Sequence, residues 1–167
     1  VVGGGPAGLT TALHSAKAGL EVVVIEKRWG TIDKACGEGL MPHSLAHLNR
    51  LGVDPPGKPF RGISYHDDRR SVSAAFRSGV GRGVQRTALH GALLDAVADA
   101  GVKVVQGAVG EVSQDAISVR CGGFRARYLA AADGLHLTGF AEPTDLEQAM
   151  LNVWTLSEAV SPTPAAA

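Results

Sequence analysis

Long apolar runs are missing from this sequence. No stretch of its 167 residues approaches the roughly 20 apolar residues that a membrane-spanning helix needs. The first residues show no charged segment followed by a long apolar stretch, so nothing there reads as a signal peptide. Cysteine is scarce. Cys36 and Cys121 stand far apart without C-x-x-C spacing, and we expect two reduced thiols in a cytoplasmic protein. An excess of one charge is missing too: sixteen Lys and Arg balance sixteen Asp and Glu. That balance argues against nucleic acid as the main partner. The local basic group Arg69, Arg70, Arg77, Arg82 and Arg86 reads as a solvated hairpin and loop. Aromatic residues make up only 5% against 45% hydrophobic residues. This composition fits a soluble globular chain, long enough for one domain with a core, or for one domain plus an appendage.

Glycine is abundant, and its placement carries the first signal. The chain opens "VVGGGPAGLTTALHSAKAGLEVVVIEKR". Gly3 to Gly8 form G-x-G-x-x-G directly after a short apolar strand. Pro6 suits a first helical turn. Leu9, Ala12, Leu13 and Ala16 then recur at helical spacing, and Gly19 stops the helix. Val22 to Ile25 is a continuous apolar run, as expected of a parallel strand buried on both faces. In such a β-α-β unit the first glycine permits a tight turn. The second lets a diphosphate approach the backbone, and the third lets helix and strand pack closely. The amides of the new helix, and its dipole, face the anion. Glu26 follows Gly8 by 18 positions, near the spacing of an acid that accepts hydrogen bonds from an adenosine ribose. An acid there favours FAD or NAD over NADP, and residues alone leave FAD and NAD both open.

The rest of the chain continues in the same α/β texture. Pro42 starts a short helix with Leu45, Leu48 and Leu51 on one face and Gly52 as its stop. Residues 60–66 and 71–76 read as two strands around a turn at Asp67 and Asp68. "SGVGRG" (78–83) is expected to be mobile. Residues 87–100 form a second clear helix, with Leu89, Leu93, Val97 and Ala100 on one side and Gly101 beyond it. Strands are expected over 102–106, 108–113 and 116–120. Gly122-Gly123 turns the chain into a strand over 124–132. From Leu135 the texture changes, with a capping box at Thr144 and Glu147 opening a helix at about 144–158 and a disordered end. We therefore divide the chain at residue 134, with a divergent tail over 135–167.

"VVGGGPAGL", "VVVIEKR", "GVQRTALHGAL" and "LAAADG" together resemble the FAD-binding region of flavoprotein monooxygenases of the p-hydroxybenzoate hydroxylase type. The related geranylgeranyl reductases share that region. The resemblance covers roughly residues 1–136. It implies an α/β, Rossmann-like FAD-binding domain with a central parallel sheet and an added β-meander, here incomplete. It assigns the FAD diphosphate to Gly3, Gly5, Pro6, Ala7 and Gly8, and the adenosine end to Glu26, with Lys27 and Arg28 beside it. It places Arg86 at the ribityl or diphosphate portion. Asp133 and Gly134 are placed at contacts to FAD and NAD(P)H.

The same resemblance implies an NAD(P)H-dependent flavin monooxygenase acting on a small aromatic or isoprenoid-like substrate. "KACGEGLMP" (34–42) is similar to the cysteine-glycine segment of geranylgeranyl-reductase-like members. That keeps open a flavin-dependent reductase of a C=C bond and a functional Cys36. The family's later Gly-Asp motif is absent, and "LHLTGFAEP" replaces the usual continuation after "ADG". These departures suggest an N-terminal fragment, and keep open a non-catalytic nucleotide-binding remnant. No catalytic acid or base is identifiable. His43 and His47 stand i, i+4 without a third metal ligand, and "RSG" (77–79) lacks the context of a nucleophile elbow.

Overall fold

The computed structural model describes residues 1–134 apart from Ala35 and Gly37. The expected helix at about 144–158 and the divergent tail lie outside the described residues. Helix α1 (Pro6–Lys17) begins directly after the glycine turn, and Gly19 takes a left-handed conformation (φ 81°) just past its end. Strand β1 (Val23–Glu26) follows. Val2 bridges in parallel to Ile25 on one side and to Ala131 on the other. Strand β7 (Lys103–Gln106) pairs in parallel with β1, Val24 opposite Val104. The opening segment is therefore the middle of a parallel sheet, with residues 130–132 as its neighbour.

Alternation along these strands builds two cores. Val24 points into one, with Leu9, Ala12 and Leu13 of α1, Leu48 and Leu51 of α2 (Pro42–Leu51), and Leu89, Leu93 and Val97 of α3 (Arg86–Asp99). Ile25 and Val2 point into the other, with Val109 and Cys121. The second face is covered by the antiparallel meander β8 (Val112–Gln114), β9 (Val119–Cys121) and β10 (Phe124–Ala126). Leu9, Leu13 and Leu93 are at most 1% exposed, and full burial of one such side chain contributes roughly 1.5–3 kcal/mol. The architecture is the expected α/β arrangement of a parallel sheet with an added meander.

Local signals placed α1, α2 and α3 within one residue of their observed starts. Gly52 closes α2 with φ 83°, and Gly122 and Gly123 turn β9 into β10 with φ 54° and 81°. Six expectations need correction. The strand expected over 116–120 begins only at Val119, and the strand expected over 124–132 ends at Ala126. Ala100 is exposed as the α3 cap rather than part of its buried stripe. Most of 108–113 is irregular, because the meander strand begins only at Val112. The run 60–66 divides between two sheets: β3 (Lys58–Phe60) pairs with β6 (Gly81–Gly83), and β4 (Gly62–His66) pairs with β5 (Ser71–Ala75). Finally, "SGVGRG" contains β6, the central strand between β3 and β2 (Gly39–Leu40). A Cβ on Gly81 would lie 2.6 Å from the Phe60 ring and 2.9 Å from the Leu40 carbonyl oxygen. Glycine there serves close backbone approach rather than mobility.

Candidate functional site

The turn between Val2 and α1 sits at the carboxyl end of the parallel sheet. Gly3 has φ 100°, and a Cβ there would lie 2.3 Å from the carbonyl oxygen of Ala132. This close approach brings the "ADG" end against the glycine turn. Gly8 is packed just as tightly: its Cβ would sit 1.8 Å from the Gly3 carbonyl oxygen. Gly5 differs from both. It is the α1 N-cap with φ −73° and ψ 177°, and no atom of the described residues lies within 4 Å of its added Cβ. Among the described residues no side chain caps α1, and its first turn carries no acidic residue, so its N-terminal dipole meets no acid of its own first turn.

Glu26 ends β1 beside this turn. Its Oε2 accepts from the Gly4 N–H at 2.6 Å and its Oε1 from the Arg28 N–H at 2.9 Å. Each carboxylate oxygen keeps acceptor capacity beyond its one backbone donor. The carboxylate thus lies against the glycine loop, as the spacing predicts.

An open cleft of about 240 Å³ runs along these groups. Gly3, Gly5, Pro6 and Ala7 line it at the turn, and Glu26, Lys27 and Arg28 at the end of β1. Arg86, Asp133 and Gly134 line it too. Gly8 is the one candidate that does not, since it faces the Gly3 carbonyl inside the turn. Residues from four distant parts of the chain therefore share one cleft. Among the described residues its walls carry four basic side chains (Lys27, Arg28, Lys34 and Arg86) and two acidic ones (Glu26 and Asp133). That balance favours an anionic ligand.

Arg86 gives the cleft its most specific feature. It opens α3 and is 6% exposed, yet its Nη1 has no hydrogen-bond partner among the described residues. A buried guanidinium nitrogen without a partner is costly, and an anion in the cleft would relieve that cost. The backbone at Arg86 is held separately, its N–H donating to Glu38 Oε1 at 3.0 Å. Glu38 itself adopts φ 51°, and its carbonyl accepts the Val84 N–H at 2.7 Å.

Three residues at the site escaped the sequence reading. Lys34 lines the cleft, and its Nζ lies 3.6 Å from where a Cβ on Gly134 would be. Glu38 anchors the start of α3. His90, one turn beyond Arg86, is 1% exposed and bonds at both ring nitrogens. Its Nδ1 accepts the Ile32 N–H at 3.1 Å, so Nε2 carries the proton and donates to the Gly4 carbonyl oxygen at 2.7 Å. The signal was present in "RTALH": Arg86 and His90 are four apart, hence on one helix face.

The remaining candidates lie elsewhere. Cys36 is exposed, with Ala35 and Gly37 on either side of it outside the described residues. Cys121 is the last residue of β9 rather than part of the turn, and burial pushes its thiol pKa up. His43 and His47 are exposed on α2. Among the described residues, no group of three or more His, Cys, Asp or Glu is placed to hold a metal ion, and no helix is long and apolar enough to cross a membrane.

Comparison with known proteins points the same way. Residues 1–58 match the family described as FAD binding domain. The chain is 51% identical over 53 residues to the menaquinone reductase of Mycolicibacterium smegmatis, a stretch that is 32% of this chain and 13% of that protein. It is 39% identical over 56 residues to digeranylgeranylglycerophospholipid reductase 2 of Methanopyrus kandleri, covering 33% and 13%. Among solved structures, p-nitrophenol 4-monooxygenase from Pseudomonas putida superposes with a TM-score of 0.70 at 25% identity, over 80% of this chain and 40% of that one. The resemblance read from the motifs is borne out: relatives include monooxygenases and geranylgeranyl-lipid reductases, and structural neighbours include flavin-dependent monooxygenases. The matched stretches span about an eighth of the curated relatives' length.

Proposed function

We propose that the cleft binds FAD and that this chain is the FAD-binding part of an NAD(P)H-dependent flavin monooxygenase acting in the cytoplasm. The observation that carries the reading is one cleft lined both by an uncovered glycine turn and by the buried Arg86 guanidinium, whose Nη1 has no partner among the described residues. The residues fit the cofactor. Gly3, Gly5, Pro6, Ala7 and Gly8 form the turn that receives the diphosphate, with Gly5 open toward it. Arg86 supplies the cation for the diphosphate or ribityl portion. Glu26 has acceptor capacity left for ribose hydroxyls, flanked by Lys27 and Arg28. Asp133 and Gly134 border the other end.

When bound, FAD supplies the capacity to accept hydride from a nicotinamide and pass reducing equivalents onward. The chain's own work is binding and orientation. It would hold the diphosphate against backbone amides of the glycine turn and beside the buried Arg86 guanidinium. No acid or base for the chemical step is assigned. The proposed substrate is a small aromatic or isoprenoid-like molecule, the two classes that the relatives' names span.

Identity with the menaquinone reductase, together with "CGEGL" (36–40), favours a second reading, a flavin-dependent reductase of a C=C bond. A nucleotide-binding remnant without catalysis is the third reading. Titrating the purified chain with FAD tests the common ground. Saturable quenching of flavin fluorescence is expected, and absence of uptake overturns the cofactor reading. For the longer protein, substrate-dependent O₂ consumption with NAD(P)H supports the monooxygenase. Substrate reduced without O₂ uptake replaces it with the reductase.

A further inference from the structure

Two adjacent glycines form the floor of the turn, and glycine backbones reorient at little cost. The peptide joining Gly4 to Gly5 could therefore present either its N–H or its carbonyl to a ligand, unless something holds it. From the geometry around His90 we infer that this histidine is a positioning residue that locks the peptide with its N–H toward the cleft. This rests on the FAD reading of the cleft.

The Gly4 carbonyl oxygen accepts from His90 Nε2 at 2.7 Å. The described chain contains no cis peptide, and in a trans peptide the C=O and the following N–H point in opposite directions. The Gly5 N–H is thus aimed away from His90. The two sides are distinct. Gly4 and His90 border a second hollow, which shares Glu26 and Arg28 with the cleft, whereas Gly5 lines only the cleft. On the other side of Gly4, its N–H is held by Glu26 at 2.6 Å. Gly4 is therefore clamped at both polar atoms, and the Gly5 N–H of the same peptide stays directed at an incoming phosphate. A flipped peptide would turn a carbonyl oxygen toward that anion, exchanging attraction for repulsion.

The lock needs one tautomer. The Ile32 N–H donates to Nδ1 at 3.1 Å, which leaves the ring proton on Nε2, where it meets Gly4. Ile32 belongs to the segment that follows Glu26, so one buried ring joins that segment, α3 and the glycine turn.

The test compares two replacements that each keep one half of the ring's bonding. Gln at position 90 reaches where Nε2 was and donates to Gly4. Asn reaches only where Nδ1 was and accepts from Ile32. FAD affinity is measured by fluorescence quenching, beside thermal melting of each flavin-free chain. His90→Gln is expected to bind within about threefold of wild type, and His90→Asn about tenfold more weakly, the value of one charge-assisted hydrogen bond. Equal affinity of His90→Asn and wild type, or equal losses in both variants, overturns the inference while leaving FAD binding intact. A wild-type chain that takes up no FAD overturns the cofactor reading and this inference with it. A second measurement needs no variant: saturating FAD should slow hydrogen exchange at the Gly5 amide at least about tenfold, by the same charge-assisted bond. Unchanged exchange there shows that the amide does not face the ligand and overturns the inference.

Discussion

A Cβ on Gly8 would stand 1.8 Å from the carbonyl oxygen of Gly3. The third glycine of the motif is thus a packing residue between α1 and the turn, and it does not line the cleft. Gly8→Ala must push backbone apart, and overpacking of this kind costs about 1–3 kcal/mol. We expect the denaturant midpoint of the flavin-free chain to fall accordingly. An unchanged midpoint would contradict this packing.

Gly5→Ala should behave in the opposite way. Its φ of −73° suits alanine, and no atom of the described residues lies within 4 Å of the new methyl group. The flavin-free variant should melt close to wild type. Its methyl group occupies space that the proposed diphosphate needs, so FAD affinity should fall by about tenfold or more, a loss of about 1.4 kcal/mol or more. The two alanine variants therefore separate folding from binding within one six-residue motif.

Arg86→Met removes the guanidinium while keeping much of its apolar stem. Without a ligand, Nη1 is buried with no partner among the described residues. Replacing such a group by a packed apolar one is often neutral or stabilising. Melting of the flavin-free chain should hold or rise, while FAD affinity should drop by about tenfold or more, because charge-assisted bonds are the strong ones. Lower stability combined with undiminished FAD binding would remove Arg86 from the site.

Asp115 supports the turn between β8 and β9 in a pH-dependent way. Its Oδ1 accepts from the Ile117 and Ser118 N–H groups at 2.9 and 2.7 Å, and its Oδ2 from the Ser118 hydroxyl at 2.9 Å. The backbone bond from Ile117 first, then the two from Ser118, hold its pKa below the ordinary 3.8. A depressed carboxyl stabilises the folded state fully above its unfolded value, and that contribution is lost as pH falls through the folded value. Hydrogen exchange at the Ile117 and Ser118 amides should accelerate relative to neighbouring amides below about pH 4, taking the ordinary Asp value as the upper edge. Asp115→Asn should abolish that acid-specific change.

Much of this site was legible in the chain's first 28 residues. Gly3 and Gly5 line the cleft with Glu26 beside them, as the motif and its spacing imply. Arg86, Asp133 and Gly134 were placed by resemblance, and they line the same cleft. His90 was passed over, because a histidine on an apolar helix face looks like any other core residue until its partners are known. Those partners, Gly4 and Ile32, are 86 and 58 positions away. "SGVGRG" misled for a related reason. Its glycines resemble a flexible linker, but Phe60 and Leu40 press against Gly81.

Helix stripes, their glycine stops, the Gly122-Gly123 turn and the nucleotide motif were readable because each depends on residues a few positions apart. Backbone sterics and hydrogen bonding act there with no knowledge of the rest of the chain. The division of 60–66 between two sheets, the strand at 81–83, and the joint service of Glu26 and His90 on Gly4 follow from another cause. They arise where distant segments are brought into contact by burial of the two cores. Close approach and hydrogen-bond satisfaction are then settled by partners that no local window contains.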